Sequence, residues 1–582
     1  DDAFVVWLNE VEIARENIGY IGNFPAFDEL DDIRTHEAEL YRGGRPNHYV
    51  IDNIQSLLQN GNNVMAIQVN TLDTDMTMIP FFTLGYASQP SDSLYVSFIV
   101  EPNLLNLHTN FSLSDDEPVI LADATGSIID MIQPGYIPLD ASFGCKPDGT
   151  LNYYFFNEPT PDSTNNNSTS ATEFADPPQI SPDGGVFSGS VSISFQNILA
   201  GETTYYTLDG SEPHPDSSDT FVFSQPIIID TTTVVRAQIR KNGFLPSNII
   251  TNTFIIAEGH HLPIVSLTTD PYNLWDYYEG LYVKGPNAGS SFPFLRANFW
   301  QDWEKPVYIE LYEPDGNLGF KMDGGIKIFG YFSRGHDQKS FAVFARGKYG
   351  NGIMPYKFFE DKPFTEYKNI VFRNSGGDWM KSMMRDGLMQ DMLQHTNLSY
   401  QAYRPCVIYL NGVYWGIYNI REKINEHFFA NNYSADPDNI DMLEENRQVL
   451  YGSIDAYTQF MDFIQSNDLS DPSVYEQVLT MMDMENYLTY QAAEILYNNT
   501  DWPGRNIKYW RERTSDAKWR WQIFDLDLGL GLTESHDFNT LAFALEENGP
   551  YYPNPAWSTY LFRRMVENDQ FVIDLINRFA DL

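Results

Sequence analysis

Two acidic clusters late in the chain have residue types and spacing that can do chemistry. The first, in YNNTDWPGRNIKYW, sets Asp501 and Asn506 five residues apart in a turn after a helical pattern. The second, in WQIFDLDLGLGL, sets Asp525 and Asp527 at the end of an apolar run read as a strand, ahead of Gly529 and Gly531. Alternate residues of a strand share one face, so both carboxylates would point at a single ion. Magnesium takes few hard oxygen ligands and completes its shell with water and phosphate, which suits Asn506, Asp525 and Asp527. An Asp that orients an attacking hydroxyl, with an Asn and a later Asp holding the cation against phosphates, is a phosphoryl-transfer layout. In that layout Asp501 is the orienting group. Taken singly, each cluster also reads as an ordinary turn or a solvated Asp. The aromatic-rich hairpin IKYWRERTSDAKWRWQIF between them makes chance co-occurrence the weaker explanation.

The elements upstream come in the order such a site needs. VYIELYEPDGNLGFKMDGGIKIFG reads as two strands around a PDGN turn, followed by the polar loop GYFSRGHDQKS and the strand SFAVFA. In that loop, backbone amides and Ser333 can cradle phosphates, while Arg334 and Lys339 neutralise charge. A solvated loop lysine is the bland reading of Lys339. The periodicity of 379–395 predicts a helix whose acidic residues, Asp386 and Asp391, are candidates to orient Lys339, with Asp386 preferred; a surface i,i+4 charge pattern explains them equally well. RPCVIYLNGVYWGIYNIREKINEHFF predicts a hairpin turning at Asn411-Gly412. It leaves through Ile420, Arg421 and Glu422 towards a hinge, where Glu422 would touch a nucleotide base.

Composition bounds the rest. A chain of 582 residues is long enough for three to five domains. Lys plus Arg total 36 against 79 for Asp plus Glu, a net charge of −43, which repels nucleic acid and anionic lipid surfaces. Hydrophobic residues at 42% can fill several cores and exclude global disorder. Cys145 and Cys406 are the only cysteines, so neither a disulfide framework nor a Cys-based zinc site is expected. No run of 18 apolar residues is present, so no membrane span is expected. The chain begins Asp1-Asp2 without a signal region, as a cytoplasmic protein or one whose signal has been removed would. It stops inside a helical pattern, as a segment of something longer would.

The first 260 residues alternate in short β runs between Gly, Asn, Asp and Pro turns, the pattern of sandwiches. Residues 159–178 have no apolar periodicity and read as a linker. Past 258–264 the composition shifts to an α+β segment with helices expected at 379–395, 453–466, 473–482 and 485–497. The resulting division is 1–90, 91–176, 177–258 and 259–582.

Four resemblances accompany these boundaries. LNEVEIARENIG and GNNVMAIQV at 1–90 resemble β-jelly-roll accessory segments, and FSLSDDEPVILADATGSIIDMI within 92–160 resembles a lamin-tail, immunoglobulin-like sandwich. PPQISPDGGVFSGSVSISF, YYTLDGSEP and TTTVVRAQIRKNGFLPSN resemble the chitobiase carboxy-terminal domain. GYFSRGHDQKSF, IVFRNSGGDW, MRDGL, YRPCVIYLNGVYWGIYNIREKIN, NNTDWPGRN and FDLDLG resemble, in order, the spore-coat CotH kinase family over roughly 262–582. The last resemblance implies an atypical protein-kinase fold and ATP-dependent phosphorylation of secreted or coat proteins on Ser. It puts Asp501 at the catalytic position, Asp525 at a metal position, Asn506 and Asp527 at the other metal-ligand positions, and Lys339 at the phosphate-contacting lysine. Trp502-Pro503-Gly504 departs from the family's commonest pattern, where a basic or polar residue often stands.

The expected fold class is therefore multidomain: all-β sandwich modules in the amino-terminal half and an α+β atypical kinase-like fold in the carboxy-terminal half. The expected function is a secreted or bacterial cell-surface protein kinase using ATP and Mg²⁺ or Mn²⁺ on Ser/Thr of a protein substrate, monomeric, with no nucleic-acid partner. Its β modules would act as spacers or bind a glycan or cell-surface protein. The alternative is a surface-display or adhesion protein whose kinase-like module is inactive or binds a ligand. A carbohydrate-active enzyme is disfavoured because Asp209 and Glu212 lie in one turn, with nothing to place them across a sugar.

Overall fold

The computed structural model describes residues 118–582 apart from 124, 136, 139–140, 162, 258 and 548–554, together with 3–9, 11–16, 65–70, 82–89 and 92–98. It divides into two compact units at residue 117. In the first, Ala3–Leu8 pairs antiparallel with Val11–Glu16 and Met65–Asn70, and Phe82–Gln89 forms a hairpin with Asp92–Phe98. Val5, Val6, Trp7 and Leu8 are buried, as suits the middle strand of a sheet. Residues 17–64 and 99–117, on which much of the jelly-roll and lamin-tail expectations rests, lie outside the described residues.

The second unit opens with two hairpins, Val119–Ala122 with Ile128–Ile132 and Ser142–Cys145 with Tyr153–Phe156. The linker-like stretch then lies along the protein by backbone hydrogen bonds, Ala171 with Phe155 and Ala175 with Leu245. Such bonds need no apolar periodicity, so side-chain pattern did not announce them. A sandwich follows, its three-stranded sheet ordered Gln179–Ser181, Val191–Gln196, Ile227–Ile229. Its partner sheet is built on Glu202–Thr207, Thr233–Lys241 and Ile250–Ile256. In TVVRAQIRK the alternation sends Val235, Ala237 and Ile239 inward and Arg236, Gln238 and Arg240 outward.

Seven strands next close into a barrel in the order Ile264–Thr268, Lys305–Tyr312, Leu318–Phe329, Ser340–Phe344, Asn369–Arg373, Val413–Glu422, Tyr403–Leu410. Closure is a parallel pairing of the first and last of these. Its interior is apolar, with Val265, Ile309, Ile326, Phe341, Ile370, Ile408 and Ile420 all buried. The predicted hairpin turn is present, with Asn411 and Gly412 at φ 49° and 78°, the left-handed pair a type I′ turn requires. Sandwich and barrel share apolar packing: Ile255 clusters with Ile264, Tyr312, Val407 and Tyr409.

Beyond the barrel, Ile440–Glu444, Gln448–Tyr451, Lys508–Glu512 and Arg520–Gln522 form an antiparallel sheet. Helices Asp455–Ser466, Pro472–Met481, Met484–Leu496, Ala556–Met565 and Asp569–Asp581 surround the largest apolar core. The three helices expected between 453 and 497 agree with the first three of these to within two residues. Asp471 and Asp483 cap the second and third through the amides of Ser473 and Asn486. The chain is thus β-rich in its amino-terminal half and mixed α/β after the barrel. No helix among the described residues is long and apolar enough to cross a membrane.

Two local expectations need correction. The helix expected at 379–395 spans only Arg385–Asp391. Met380 and Met383 adopt positive φ, and the Asp378 carboxylate gathers the amides of Ser382, Met384 and Arg385 into a turn instead. The segment carrying Asp525 and Asp527 is not a strand either: the strand ends at Gln522, and Asp525 has φ 55°.

Candidate active site

Arg373, at the end of a barrel strand, gathers three carboxylates. Its Nη1 donates to Asp386 Oδ2 at 2.6 Å, and its Nη2 donates to Asp527 Oδ2 at 2.8 Å and also to Asp525 Oδ1. The two Asp residues therefore converge on one nitrogen, as a shared ion requires, though a left-handed residue brings them there rather than strand alternation. Asp386 has a second cation in Arg421. It also accepts from the Leu526 amide at 2.9 Å and from Gln390 Nε2 at 2.8 Å, which ties the short helix to the loop between Asp525 and Asp527.

Charge balance decides the protonation of this group. Burial pushes the Asp386 carboxyl up, but Arg421 and Arg373 outweigh it and hold the group well below the usual carboxylate range. Asp527 goes the other way: burial first, then the charge of Asp525, drives its carboxyl well above the ordinary value despite Arg373. Arg373 is fully ionised, because the charges of Asp525, Asp386 and Asp527 overcome its own burial.

The backbone opposite approaches closely. Gly377 N donates to Asp527 Oδ2 at 2.7 Å. A Cβ on Gly376, which has φ 56°, would stand 2.0 Å from that same oxygen. Two consecutive glycines are the reason the carboxylate can lie against this turn.

Asp501 lies in the loop after helix Met484–Leu496. Asn506 Nδ2 donates to Asp501 Oδ2 at 3.0 Å, so the Asp–Asn spacing is a direct contact. Asn506, like Asp525, is left-handed at φ 54°, a local strain that clusters at functional sites. The Asp501 amide donates to Asn499 Oδ1. Glu494, buried near the end of that helix, senses the charges of Asp386, Asp525 and Asp501 together, so the two acidic clusters share one electrostatic neighbour.

The loop 330–340 reaches the same region: the Arg505 guanidinium lies 5.6 Å from the Tyr331 ring centre. Its cations face elsewhere. Lys339 Nζ donates to the carbonyls of Arg334 and His336, both at 2.8 Å, and stands 4.0 Å from the centre of the Phe299 ring. Burial pulls its pKa down to about 8. Arg334 donates to the carbonyls of Gly330, Phe299 and Trp300. Ser333 sits in a short 3-10 turn, its carbonyl accepting from the His336 amide. The expected Lys339–Asp386 pair does not form, since the two Arg residues take the carboxylate. Glu422 is buried and paired with Lys362 at 3.2 Å, while its other oxygen accepts from Asn432. In this arrangement it holds together the end of the barrel, and its carboxylate is directed at Lys362 rather than at a base.

Sequence reasoning passed over Arg373, Arg421, Gly376, Gly377, Lys362 and Glu494. The first, third and fourth lie in IVFRNSGGDW, a run the family resemblance already included; the signal available was that motif, which did not say which residue did what.

Comparison with known families agrees with this organisation. Residues 326–582 match the family described as CotH kinase protein, and residues 182–251 match the chitobiase/beta-hexosaminidase C-terminal domain. The two matched segments lie in the order sandwich, then barrel and helical region, and the acidic clusters lie inside residues 326–582, the segment similar to the CotH kinase family. No curated protein matches the chain.

Proposed function

We propose that this protein is a secreted or cell-surface protein kinase that transfers the γ-phosphate of ATP to a Ser or Thr hydroxyl of an extracytoplasmic protein. The observation that carries the reading is the convergence of Asp525 and Asp527 on a single guanidinium nitrogen within a CotH kinase domain. A position where two carboxylate oxygens already surround positive charge suits a divalent cation.

The donor set fits magnesium. Asp525 and Asp527 supply carboxylate oxygens, and Asn506 turns its amide nitrogen to Asp501, its carbonyl oxygen being the atom a cation takes. Among the described residues no group of three or more His, Cys, Asp and Glu is set to hold a metal by itself. When bound, Mg²⁺ supplies charge neutralisation between the phosphates. Asp501 would accept the hydrogen bond of the acceptor hydroxyl and align it for in-line attack. Ser333, Arg334, Lys339, Asp386 and Glu422 are then the surrounding shell: the first three hold the shape of the loop beside the phosphates, and Asp386 and Glu422 brace the barrel end.

One observation favours the alternative of a ligand-binding, non-transferring module: Arg373 already neutralises Asp525 and Asp527. Calorimetric titration of Mg·ATP separates the readings at the binding step. The kinase reading expects binding that needs the metal and disappears in Asp525→Ala with the fold intact. Metal-independent or unchanged binding in that variant removes the metal assignment.

A further inference from the structure

Helix Met484–Leu496 packs against the core of the domain, yet near its carboxy-terminal end it carries a glutamate with no solvent exposure at all. Among the described residues Glu494 forms no ion pair; the charges it senses are those of Asp386, Asp525 and Asp501, all of its own sign. An ionised carboxylate in that position would be costly. Burial, opposed by the Asn499 hydrogen bond and reinforced by those three neighbours, pushes the Glu494 carboxyl well above its ordinary range, which favours its neutral form. What it does touch is specific. Glu494 Oε2 accepts from Asn499 Nδ2 at 2.8 Å, and the Asn499 amide donates back to the Glu494 carbonyl at 3.2 Å. Asn499 Oδ1 in turn accepts from the Asp501 amide at 3.2 Å. Asn499 is itself fully buried. The chain of contacts thus runs from inside the helix through one side chain to the backbone of Asp501, whose carboxylate meets Asn506.

We propose that Glu494 is a positioning residue for the Asp501 loop, a hydrogen-bond acceptor that fixes Asn499 and, through it, the backbone that aims the Asp501 carboxylate. The inference rests on the kinase reading above for its catalytic consequence, but its structural half stands on the contacts alone. It accounts for a glutamate under an already acidic site: as a neutral acid it holds the loop without adding charge to the group that must accept a cation. It also implies that an amide serves as well as the acid, because only a carbonyl-type oxygen towards Asn499 is required.

The test uses the full chain and two readouts. Amide hydrogen exchange at 499–506 reports loop anchoring, and phosphate transfer from Mg·ATP to a Ser-rich acceptor reports catalysis. In Glu494→Leu the expected result is exchange at Asp501 at least 10-fold faster, kcat lowered 10-fold or more, and KM for ATP within about 2-fold of wild type. Glu494→Gln is expected to rescue both readouts to within about 3-fold. Should Glu494→Leu fail to fold, Asn499→Ala removes the middle link and is expected to give the same exchange and kcat pattern. Wild-type exchange in Glu494→Leu or Asn499→Ala overturns the positioning role, as does a Glu494→Gln chain as impaired as Glu494→Leu. A wild type that transfers no phosphate overturns the kinase reading alone, because the exchange comparison still decides whether Glu494 holds the loop.

Discussion

Arg373 Nη2 donates to Asp527 Oδ2 at 2.8 Å across 154 positions of sequence, joining the last residue of a barrel strand to the loop after the final hairpin. The contact sets the geometry of the acidic cluster, since the same guanidinium also holds Asp525 and Asp386. Removing it leaves the buried Asp386 and Asp527 and the part-exposed Asp525 without their shared cation. Arg373→Ala is expected to lower stability by on the order of 3–5 kcal/mol, the usual cost of breaking a buried pair from one side. Mg²⁺ or Mn²⁺ is expected to restore part of that loss, read by denaturant unfolding with and without the ion. Unchanged stability would show that the carboxylates relax to solvent.

The Gly376 turn gives a steric prediction. A methyl group there meets Asp527 Oδ2 at 2.0 Å and Arg373 Nη2 at 2.7 Å on a left-handed backbone. Gly376→Ala is expected to cost roughly 1–3 kcal/mol and to weaken Mg·ATP binding. Gly347→Ala, where nothing lies within 4 Å of the added carbon, serves as the control and is expected to stay within about 0.5 kcal/mol of wild type.

Lys339 provides a pH signature. Its folded-state pKa of about 8 lies below the model-compound 10.5, so between those values the unfolded chain keeps a proton the folded chain has lost. The contribution of this group to stability therefore rises with pH across that window and is constant below it. The difference in unfolding free energy between wild type and Lys339→Met is expected to shift in favour of wild type by on the order of 3 kcal/mol from pH 7.5 to 10.5. A pH-independent difference would mean that Lys339 titrates normally.

The seam between sandwich and barrel is expected to behave as one core. Ile255 is fully buried with Ile264, Tyr312, Val407 and Tyr409, and Thr253 Oγ1 lies 2.7 Å from Ser266 Oγ across the same boundary. Ile255→Ala is expected to cost roughly 2–4 kcal/mol and to lower the melting of barrel and sandwich together. Calorimetry that shows only a sandwich transition moving would assign them separate stabilities.

Much of this was legible before the structure. Strand alternation in TVVRAQIRK, the Asn411-Gly412 turn and the periodicity of the helices between 453 and 497 are local signals, and each element formed where its signal lay. The Asp501–Asn506 contact was equally local. The partners of the charges were not. Nothing in the sequence near Asp386 states that Arg373 and Arg421, rather than Lys339, would reach it, because pairing was settled by which strands the barrel places side by side. The helix expected from 379 was shortened by the Asp378 turn, where side-chain acceptance of three amides competes with helical hydrogen bonds. Glu494 was invisible for a related reason: a glutamate in a helical pattern reads as a solvated face until its burial is known.

The central claim, that Asp501 and Asp525 serve phosphoryl transfer in different ways, is tested most directly by one comparison. Phosphate transfer from ATP to a Ser-rich acceptor, or to the protein itself, is measured with nucleotide affinity for wild type, Asp501→Asn and Asp525→Asn. The account predicts that Asp501→Asn loses turnover on the order of 10²- to 10⁴-fold with nucleotide affinity retained, whereas Asp525→Asn loses affinity and turnover together. Transfer by Asp501→Asn at the wild-type rate, or no transfer by wild type with Mg²⁺ or Mn²⁺ across several acceptors, would contradict it.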